Sequence, residues 1–227
     1  MSEIVHIAHT GALADFRRAP DLPLFDASAL ARVPPDAHLA LVDGGTLLAH
    51  GSLWWRNTPV YQQHRVGLIG HYGTGGEAAA REWLPQAEAA LRAQGCTLAV
   101  GPMDGSTLHR YRFVVERGSE PPFLMEPDQP DDWPRHWEAA GYAPLAHYYS
   151  AVHESLDRED PRLPGAEARL RAAGVSIRPL RDDDFAGELR RIYAVSAVSF
   201  RANFLYTPFT AQQFLDLYLP FQRFGYA

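Results

Sequence analysis

A histidine and a glycine-rich segment follow one short apolar run, and together they are the part of the sequence best equipped for chemistry. The run Val66–Ile69 leads to His71 and then to Tyr72–Ala80, which reads YGTGGEAAA. Histidine titrates near neutral pH, so His71 is a candidate general base toward an amine. The alternative interpretation of His71 is an ordinary polar residue at the end of a strand.

The glycine-rich segment has the composition of a loop that opens a helix. Apolar residues recur behind it with helical spacing, at positions 80, 84, 87 and 91. The N-terminus of such a helix directs free backbone N–H groups and a positive partial charge outward, which favours an anion. The predicted ligand contacts are Tyr72, Gly73, Thr74, Gly75, Gly76, Ala78 and Ala80.

A proline interrupts the same helical pattern. Proline removes one backbone hydrogen bond and clashes with the preceding turn, so we expect either a kink before Pro85 or a new helix start at it. Gly95 predicts the end of the helix. A second apolar run, Thr97–Val100, predicts the next strand.

The sequence lacks the residues, or the spacing of residues, that several kinds of chemistry require. The 21 Lys or Arg residues are all arginine, which excludes a P-loop lysine and a lysine Schiff base. A nucleotide-binding role for the glycine segment would need arginine in place of that lysine. Asp104, Ser106 and His109 have the residue types of a hydrolase triad, but their spacing within one loop fits no triad geometry. Histidines such as His64 and His147 are too scattered for a metal site, so none is predicted.

Charge and composition limit the partners. A formal net charge of −6 disfavours nucleic acid, which needs a basic surface. The apolar runs are too short to cross a bilayer, and the N-terminus lacks the basic start and apolar core of a signal peptide. A single cysteine excludes an internal disulfide. We therefore expect a cytoplasmic protein that does not bind membranes.

The pattern of short apolar runs, turns and glycine or proline breaks predicts strands and helices in a mixed order. The predicted strands of the first part are Ile4–Ala8, Leu39–Val42, Thr46–Trp55, Val66–Ile69, Thr97–Val100 and Ala143–Val152. The predicted helices there are Ala12–Arg18, the segment after the glycines, and Trp133–Ala140. Asp43, Gly44 and Gly45 predict a hairpin turn.

A charged segment with two prolines, Glu154–Pro164, marks a predicted domain boundary. We expect a first domain over residues 1–155, a linker over 156–169 and a second domain from 170 to 227. The predicted elements beyond the boundary are helix Gly165–Ala173, strand Val175–Pro179, a helix ending near Phe200 and helix Thr210–Leu219. Their apolar faces have no predicted sheet to pack on, so we expect them to cover the first domain or to form a homodimer.

The order of these elements resembles the GNAT N-acetyltransferase fold. Within that superfamily the sequence is similar to bacterial tandem-GNAT proteins usually labelled YghO-like. Two passages carry the resemblance: AEAALRAQGCTLAVGPMDGST with EPPFLME and WEAAGY, and RPLRDDDF with NFLYTPFTAQQF. The resemblance implies an α/β (α+β) fold with a mixed, mostly antiparallel sheet flanked by helices, followed by the helical start of a second GNAT domain. It also implies that this second domain continues beyond Ala227.

The resemblance implies acetyl transfer from acetyl-CoA, as co-substrate, to a small-molecule or peptide amine by direct attack. The family's pyrophosphate loop carries Gln or Arg, two residues, Gly, one residue, then Gly or Ala. The corresponding positions here are Gly75, Ala78 and Ala80, of which only Ala80 conforms. Glu77 adds a charge of the same sign as the diphosphate.

The resemblance also predicts a general acid. Many family members use a tyrosine four residues before the glycine that corresponds to Gly141, and this chain has Trp137 there. Tyr111 and Tyr142 are the nearest substitutes along the sequence. The altered loop and Trp137 favour a second interpretation, in which the domain is degenerate and binds a ligand or protein without catalysis.

Overall fold

The computed structural model describes residues 1–153, 155, 157 and 160–224. Contacts divide the chain into two compact units, one of Met1–Ala143 with Ser199–Phe209 and one of Pro144–Val198 with the chain from Thr210 onward. The predicted boundary and linker include Glu154, Leu156, Arg158 and Glu159, which lie outside the described residues, as do 225–227 at the end of the predicted second domain. The division into domains along the predicted boundary stays a prediction.

The first unit contains a mixed, mostly antiparallel open sheet, as predicted. Its strands are β1 (Glu3–His6), β2 (Arg17–Arg18), β3 (Ala37–Asp43), β4 (Thr46–Trp54), β5 (Val60–Tyr61), β6 (His64–Thr74) and β7 (Leu98–Val100). The main path runs β1, β3, β4, β6, β5 with antiparallel neighbours. Two parallel pairs are added to it, β2 with β4 and β7 with β6.

The helices of the first unit flank this sheet. They are α1 (Ala29–Arg32), α2 (Glu77–Ala93) and α3 (Trp133–Ala139), with a 3₁₀ turn at Thr10–Asp15 where a helix was predicted over Ala12–Arg18. Helix α2 runs through Pro85 without interruption, so the predicted new start at Pro85 is wrong. The face of α2 that packs on the sheet and α3 comprises Ala80, Trp83, Leu84, Ala87 and Leu91, all buried.

Helix α2 approaches β4 closely because β4 has a glycine at the contact. A Cβ atom at Gly51 would lie 2.4 Å from the Trp83 ring, well inside van der Waals contact. The Trp83 indole N–H also donates a hydrogen bond to the Leu39 carbonyl of β3, at 3.2 Å. Trp83 therefore fixes α2 against the centre of the sheet.

The second unit is described as helices and irregular chain. Its helices are α4 (Leu163–Ala172), α5 (Phe185–Ser199) and α6 (Ala211–Tyr218), with 3₁₀ turns at Asp182–Asp184 and Leu219–Phe224. The predicted strands Ala143–Val152 and Val175–Pro179 are wrong, because neither segment is hydrogen-bonded into a ladder. An apolar run predicts burial, but a strand also needs a neighbouring strand edge to pair with.

No helix in the described part of the chain combines the length and apolar character needed to cross a lipid bilayer.

Candidate functional site

Strand β6 is irregular at His71, and the irregularity separates two neighbouring side chains. The register with β4 shifts between His50 and Ser52, where His71 and Tyr72 together lie opposite a single residue. His71 has a φ of 43°, in the left-handed region that few non-glycine residues adopt. This geometry is a β-bulge, a feature that re-aims a side chain. His71 contacts Ser52 on one face of the sheet, whereas Tyr72 packs on the face that α2 covers.

The face of His71 buries a cluster of imidazoles around one hydroxyl. His38, His50, Ser52 and His71 are each at most 3% exposed. The Ser52 Oγ lies 2.7 Å from His38 Nδ1 and 2.9 Å from His71 Nδ1. Because a hydroxyl has one proton, Ser52 donates to one imidazole and accepts from the other. His38 Nε2 and His50 Nδ1 are buried without a hydrogen-bond partner among the described residues.

One phenyl ring covers this imidazole cluster, which we define as His38, His50, His71 and Ser52. The Phe25 ring centroid lies 5.7 Å from that of His38, with an interplanar angle of 14°, so the two rings are stacked. It lies 4.7 Å from His50 and 5.7 Å from His71, both tilted. Phe25 itself is only half-buried, so it is the outer layer of the cluster.

Burial keeps the three imidazoles uncharged. It lowers the pKa of His38 to about 2, with further lowering by His50 and His71. It lowers the pKa of His50 to about 3 and that of His71 to about 4. For His71 the nearby Asp104 carboxylate acts in the opposite direction, and Arg110 adds to the lowering. At neutral pH all three rings can accept as well as donate a hydrogen bond.

A buried carboxylate ties the His71 bulge to the loop that follows β7. Asp104 Oδ1 accepts the backbone N–H of His71 at 2.5 Å, and Asp104 Oδ2 lies 3.3 Å from Arg110 Nε. Gly70 lets this loop pass, since a Cβ there would lie 2.2 Å from the Met103 carbonyl oxygen. Asp104 was considered above as a member of a hydrolase triad and set aside because of the spacing. In the structure it fixes the bulge.

The face of Tyr72 is aromatic. The Tyr72 ring lies 5.7 Å from Trp83, 5.0 Å from Trp133 and 5.4 Å from Trp137, measured between centroids. Burial raises the pKa of Tyr72 above its usual value. Thr74 and Trp137 act in the opposite direction on this pKa, although the Tyr72 hydroxyl makes no hydrogen bond of normal geometry among the described residues. We call Tyr72, Trp83, Trp133 and Trp137 the aromatic cluster.

A segment of chain fills the remaining space beside the aromatic cluster. Phe113 lies 5.5 Å from Trp137 and 6.4 Å from Trp133, between centroids. The buried Gln129 side chain holds this segment by accepting the Val114 N–H at 3.2 Å and donating to the Val114 carbonyl at 2.8 Å. The pocket left there has a volume of about 10 Å³, enough for about one water molecule. It is lined by Tyr72, Pro102, Asp104, Arg110, Arg112, Phe113, Gln129 and Trp133.

The predicted ligand loop is shorter than expected. Residues Tyr72, Gly73 and Thr74 belong to β6, and Ala78 and Ala80 belong to the first turn of α2, so only Gly75 and Gly76 connect the two elements. The predicted loop over Tyr72–Ala80 is therefore corrected to these two glycines.

The two connecting glycines place the start of α2. The Gly75 N–H donates to the Leu48 carbonyl at 2.8 Å, and the Thr74 hydroxyl donates to the Gly76 carbonyl at 2.8 Å. Gly76 has a φ of 143°, which suits glycine alone. The Ala80 N–H bonds to the Gly76 carbonyl, so the N–H groups of residues 77–79 precede the first helical bond and have no intrahelical acceptor.

The two tyrosines predicted as general acids are on different sides of the sheet. Tyr142 packs on Trp137 at 4.6 Å between centroids, on the aromatic face, and burial with the nearby Glu88 raises its pKa. Tyr111 packs in a cluster with Trp54, whose ring lies 5.2 Å from that of His71. The structure therefore brings Tyr111 to the same face as His71, and places Tyr142 on the opposite one.

Most of the imidazole cluster was not predicted from the sequence. His38, His50 and Ser52 were not predicted as site residues. His38 directly precedes the predicted strand Leu39–Val42, and the other two lie within the predicted strand Thr46–Trp55. The signal was present in β4, where His50, Ser52 and Trp54 alternate with small or apolar residues and so share one face. Sequence spacing does not show that β3, β4 and β6 are neighbours, which is what brings the histidines together.

Among the residues that the structure describes, no group of three His, Cys, Asp or Glu side chains is arranged to hold a metal ion.

Comparison with known proteins does not identify the chain: no protein-family model, curated protein or solved structure matches it significantly. The resemblance to GNAT proteins therefore stays a prediction from the sequence.

Proposed function

We propose that the chain transfers an acyl group from acetyl-CoA to the nitrogen of an amine, by direct attack without a covalent enzyme intermediate. The observation that carries the proposal is the succession of β6, its bulge at His71 and the N-terminus of α2, which only two glycines separate from Thr74. In the GNAT fold, which the sequence resembles, a strand ends at the acyl-CoA pyrophosphate loop and the next helix starts there.

The start of α2 supports the binding half of the proposal. A diphosphate near residues 77–79 would accept hydrogen bonds from N–H groups that have no intrahelical partner, and the helix dipole would add a favourable charge interaction. A Cβ at Gly76 would meet no atom within 4 Å, so there is open space beside the residue that precedes α2. Glu77 opposes the anion, although its side chain turns to Arg81 on the surface.

The pairing of β6 with the chain after β7 bears on the path of the acyl chain. The parallel ladder extends from Val66 opposite Leu98 to Leu68 opposite Val100. Beyond it the two chains stay bonded, since the Met103 N–H donates to the Ile69 carbonyl at 2.8 Å and Asp104 accepts the His71 N–H. The thioester would therefore reach His71 only after the loop that holds Asp104 moves away from β6.

A degenerate, non-catalytic domain is the second candidate, and the filled aromatic face favours it. Phe113 and Gln129 leave a pocket of only about 10 Å³ beside Tyr72. A Cβ at Gly101 would lie 2.4 Å from the Trp137 ring, so the indole also occupies the start of the loop after β7. Under this interpretation the chain binds a ligand or a protein and performs no chemistry.

Isothermal titration with acetyl-CoA separates the two candidates. We expect micromolar binding to the unmodified chain and a loss of about tenfold or more in Gly76→Asp, which places a carboxylate at the proposed diphosphate site. Gly76→Asn is the matched control, because it puts a side chain of similar size at the same φ of 143° without the negative charge. Absence of heat at millimolar acetyl-CoA would overturn catalysis by this chain.

A gain of binding provides a check that misfolding cannot mimic. Glu77→Gln removes the like charge beside the helix N-terminus, and we expect acetyl-CoA to bind about two- to fivefold more tightly. Glu82→Gln, further along α2, serves as the control and leaves the affinity unchanged. If the two variants behave alike, the diphosphate does not lie at the start of α2.

A further inference from the structure

The imidazole cluster is costly for the fold, and this cost points to a ligand. Three imidazoles and a hydroxyl occupy a sheet face on which aliphatic residues would pack without the desolvation cost of buried polar atoms. Ser52 satisfies one nitrogen each of His38 and His71, but His38 Nε2 and His50 Nδ1 remain buried without a partner in the described chain. Buried polar atoms without partners are uncommon in a purely structural core.

Phe25 occupies the position that a flat ligand would take. Its ring contacts all three imidazoles and stacks on His38. It comes from the irregular chain between β2 and α1, where Leu22 is buried and Leu24 is 86% exposed. A ring that is half-exposed, covers unpartnered nitrogens and lies outside any helix or strand can be replaced by another ring without breaking a ladder.

The charges around the cluster disfavour a cationic ligand. The charged or titratable groups that act on the three imidazoles are Asp104, Arg110, Arg32 and His109. Asp104 is already engaged with Arg110 and with the His71 N–H. Arg32 in turn is paired with Asp26 at 2.8 Å. An ammonium group entering here would lose its hydration and find no free carboxylate among the groups that act on the cluster.

We propose that the imidazole cluster beneath Phe25 is the acceptor pocket of the enzyme, and that it binds an uncharged, flat aromatic amine whose ring takes the place of Phe25. That the bound amine is acetylated rests on the proposed acyl transfer. That the cluster binds the amine does not depend on it. For His71 to act as the base through Nε2, its Nδ1–H donates to Ser52 and Ser52 donates to His38 Nδ1, which makes His38 Nε2 an N–H donor. The unpartnered His50 Nδ1 accepts a hydrogen bond from the amine N–H, and His38 provides a surface for stacking.

An uncharged acceptor amine is compatible with the weak basicity of His71. Burial lowers the pKa of His71 to about 4, so this imidazole would remove a proton from an alkylammonium ion only at a high energetic cost. An aromatic amine arrives with its lone pair free and attacks the thioester carbonyl, forming the C–N bond as the C–S bond breaks. The proton lost from nitrogen passes through His71 and ends on the departing CoA sulfur, which balances the reaction.

Two isomeric amines test the proposal. 4-Methylaniline is uncharged at neutral pH, whereas benzylamine has the same atoms and is protonated. With each amine we would record the ¹⁵N imidazole NMR signals of the unmodified chain, and in parallel the acetyl-CoA-dependent acetylation of the amine. The buried histidine of α3, His136, is the internal control, because it lies outside the cluster.

The expected result is that 4-methylaniline shifts the signals of His38, His50 and His71 but not that of His136, and is acetylated about tenfold or more faster than benzylamine. Phe25→Ala should bind 4-methylaniline more tightly, whereas Ser52→Ala should weaken its binding about five- to tenfold. Phe16→Ala, another half-buried phenylalanine of the first unit, should change neither. Equal affinity in Ser52→Ala and the unmodified chain would show that the imidazole network does not recognise the ligand.

The outcomes separate this inference from the proposed function. Faster acetylation of benzylamine overturns the aromatic-amine proposal and leaves the acyltransferase standing. Shifts of the cluster signals without acetylation of either amine support the pocket and overturn the catalysis. Unchanged cluster signals with both amines overturn the pocket.

Discussion

The two faces of β6 next to the bulge bury different kinds of side chain. On the face of His71 the buried groups are three imidazoles and the Ser52 hydroxyl, whereas on the face of Tyr72 they are indole and phenol rings. The aromatic cluster contributes to stability through buried apolar area, and the imidazole cluster offsets part of that contribution by burying polar atoms. The aromatic face also buries polar atoms without partners in the described chain, on Tyr72, Trp137 and Tyr142. The two faces therefore differ in the titratable imidazoles that one of them buries, which is the basis of the proposed acceptor site.

The largest expected difference between the two faces is in how the free energy of unfolding depends on pH. Each of the three histidines has a folded-state pKa below its ordinary value of 6.5, at about 2, 3 and 4. The unfolded chain therefore binds more protons, and stability is complete above about pH 6.5 and falls as the pH decreases toward 4. The expected slope is about 1.4 kcal/mol per pH unit for each histidine, or about 4 kcal/mol per unit for the three.

The measurement is the free energy of unfolding by urea at several pH values from about 7.5 to about 5. His50→Leu should reduce the slope by about a third, whatever it does to stability at neutral pH. His64→Leu, which removes an exposed histidine outside the cluster, is the control. A stability that is flat over this range would show that the cluster is hydrated or already charged.

The aromatic face should give the largest effect of a single substitution at neutral pH. Trp83 is fully buried between α2 and the sheet, and Trp83→Ala removes both its apolar area and its hydrogen bond to Leu39. We expect the free energy of unfolding to fall by about 3–5 kcal/mol. Urea denaturation followed by far-UV circular dichroism measures it.

Trp55→Ala is the control for that substitution. Trp55 is half-buried beside the same apolar cluster, and its loss should cost about 1–2 kcal/mol. A similar cost for both tryptophans would mean that α2 is not fixed by Trp83, and the contrast between the two faces would lose its structural basis.

Removing one hydroxyl from the imidazole cluster should have an intermediate effect. Ser52→Ala leaves the Nδ1 atoms of His38 and His71 buried without the partner they have at 2.7 and 2.9 Å. The expected loss of stability is about 1–3 kcal/mol at neutral pH, since unpaired buried polar groups keep their desolvation cost. Ser52→Cys, which keeps a weak donor of similar shape, should recover part of it. A neutral Ser52→Ala would indicate that water already occupies the cluster.

Much of the sheet was predictable because its signals are local. Thr46–Trp54 and the hairpin turn at Asp43–Gly45 follow from alternation and turn residues. The helical spacing of Ala80, Leu84, Ala87 and Leu91 placed α2 correctly, and its buried face overrode the local preference of Pro85. The strand predicted over Ala143–Val152 failed because strand formation depends on a pairing edge, which a single segment does not encode.

The candidate site was predicted only in part, for a related reason. His71 was identified from its place before the glycines, but the bulge that turns it toward Ser52 has no sequence signal of its own. Adjacent residues of a strand face opposite sides, so grouping His71 with Tyr72 and Tyr142 joined side chains that the sheet separates. The histidines of β3 and β4 became part of the site only through strand order.

The smallest effect should come from a hydroxyl on the aromatic face, and it completes the comparison with Ser52. Tyr72→Phe removes an oxygen that is buried without a hydrogen-bond partner among the described residues, and it keeps the ring contacts with Trp83, Trp133 and Trp137. We expect the free energy of unfolding to change by less than about 0.5 kcal/mol, or to rise slightly, because no bond is lost and a desolvation cost is removed. Urea denaturation of Tyr72→Phe and of Ser52→Ala, under the same conditions, measures the contrast.

A loss of more than about 1 kcal/mol in Tyr72→Phe would mean that the hydroxyl binds an ordered water in the small pocket, since that bond would then be lost. The aromatic face would in that case hold a polar site of its own, and the assignment of ligand chemistry to the face of His71 alone would fail.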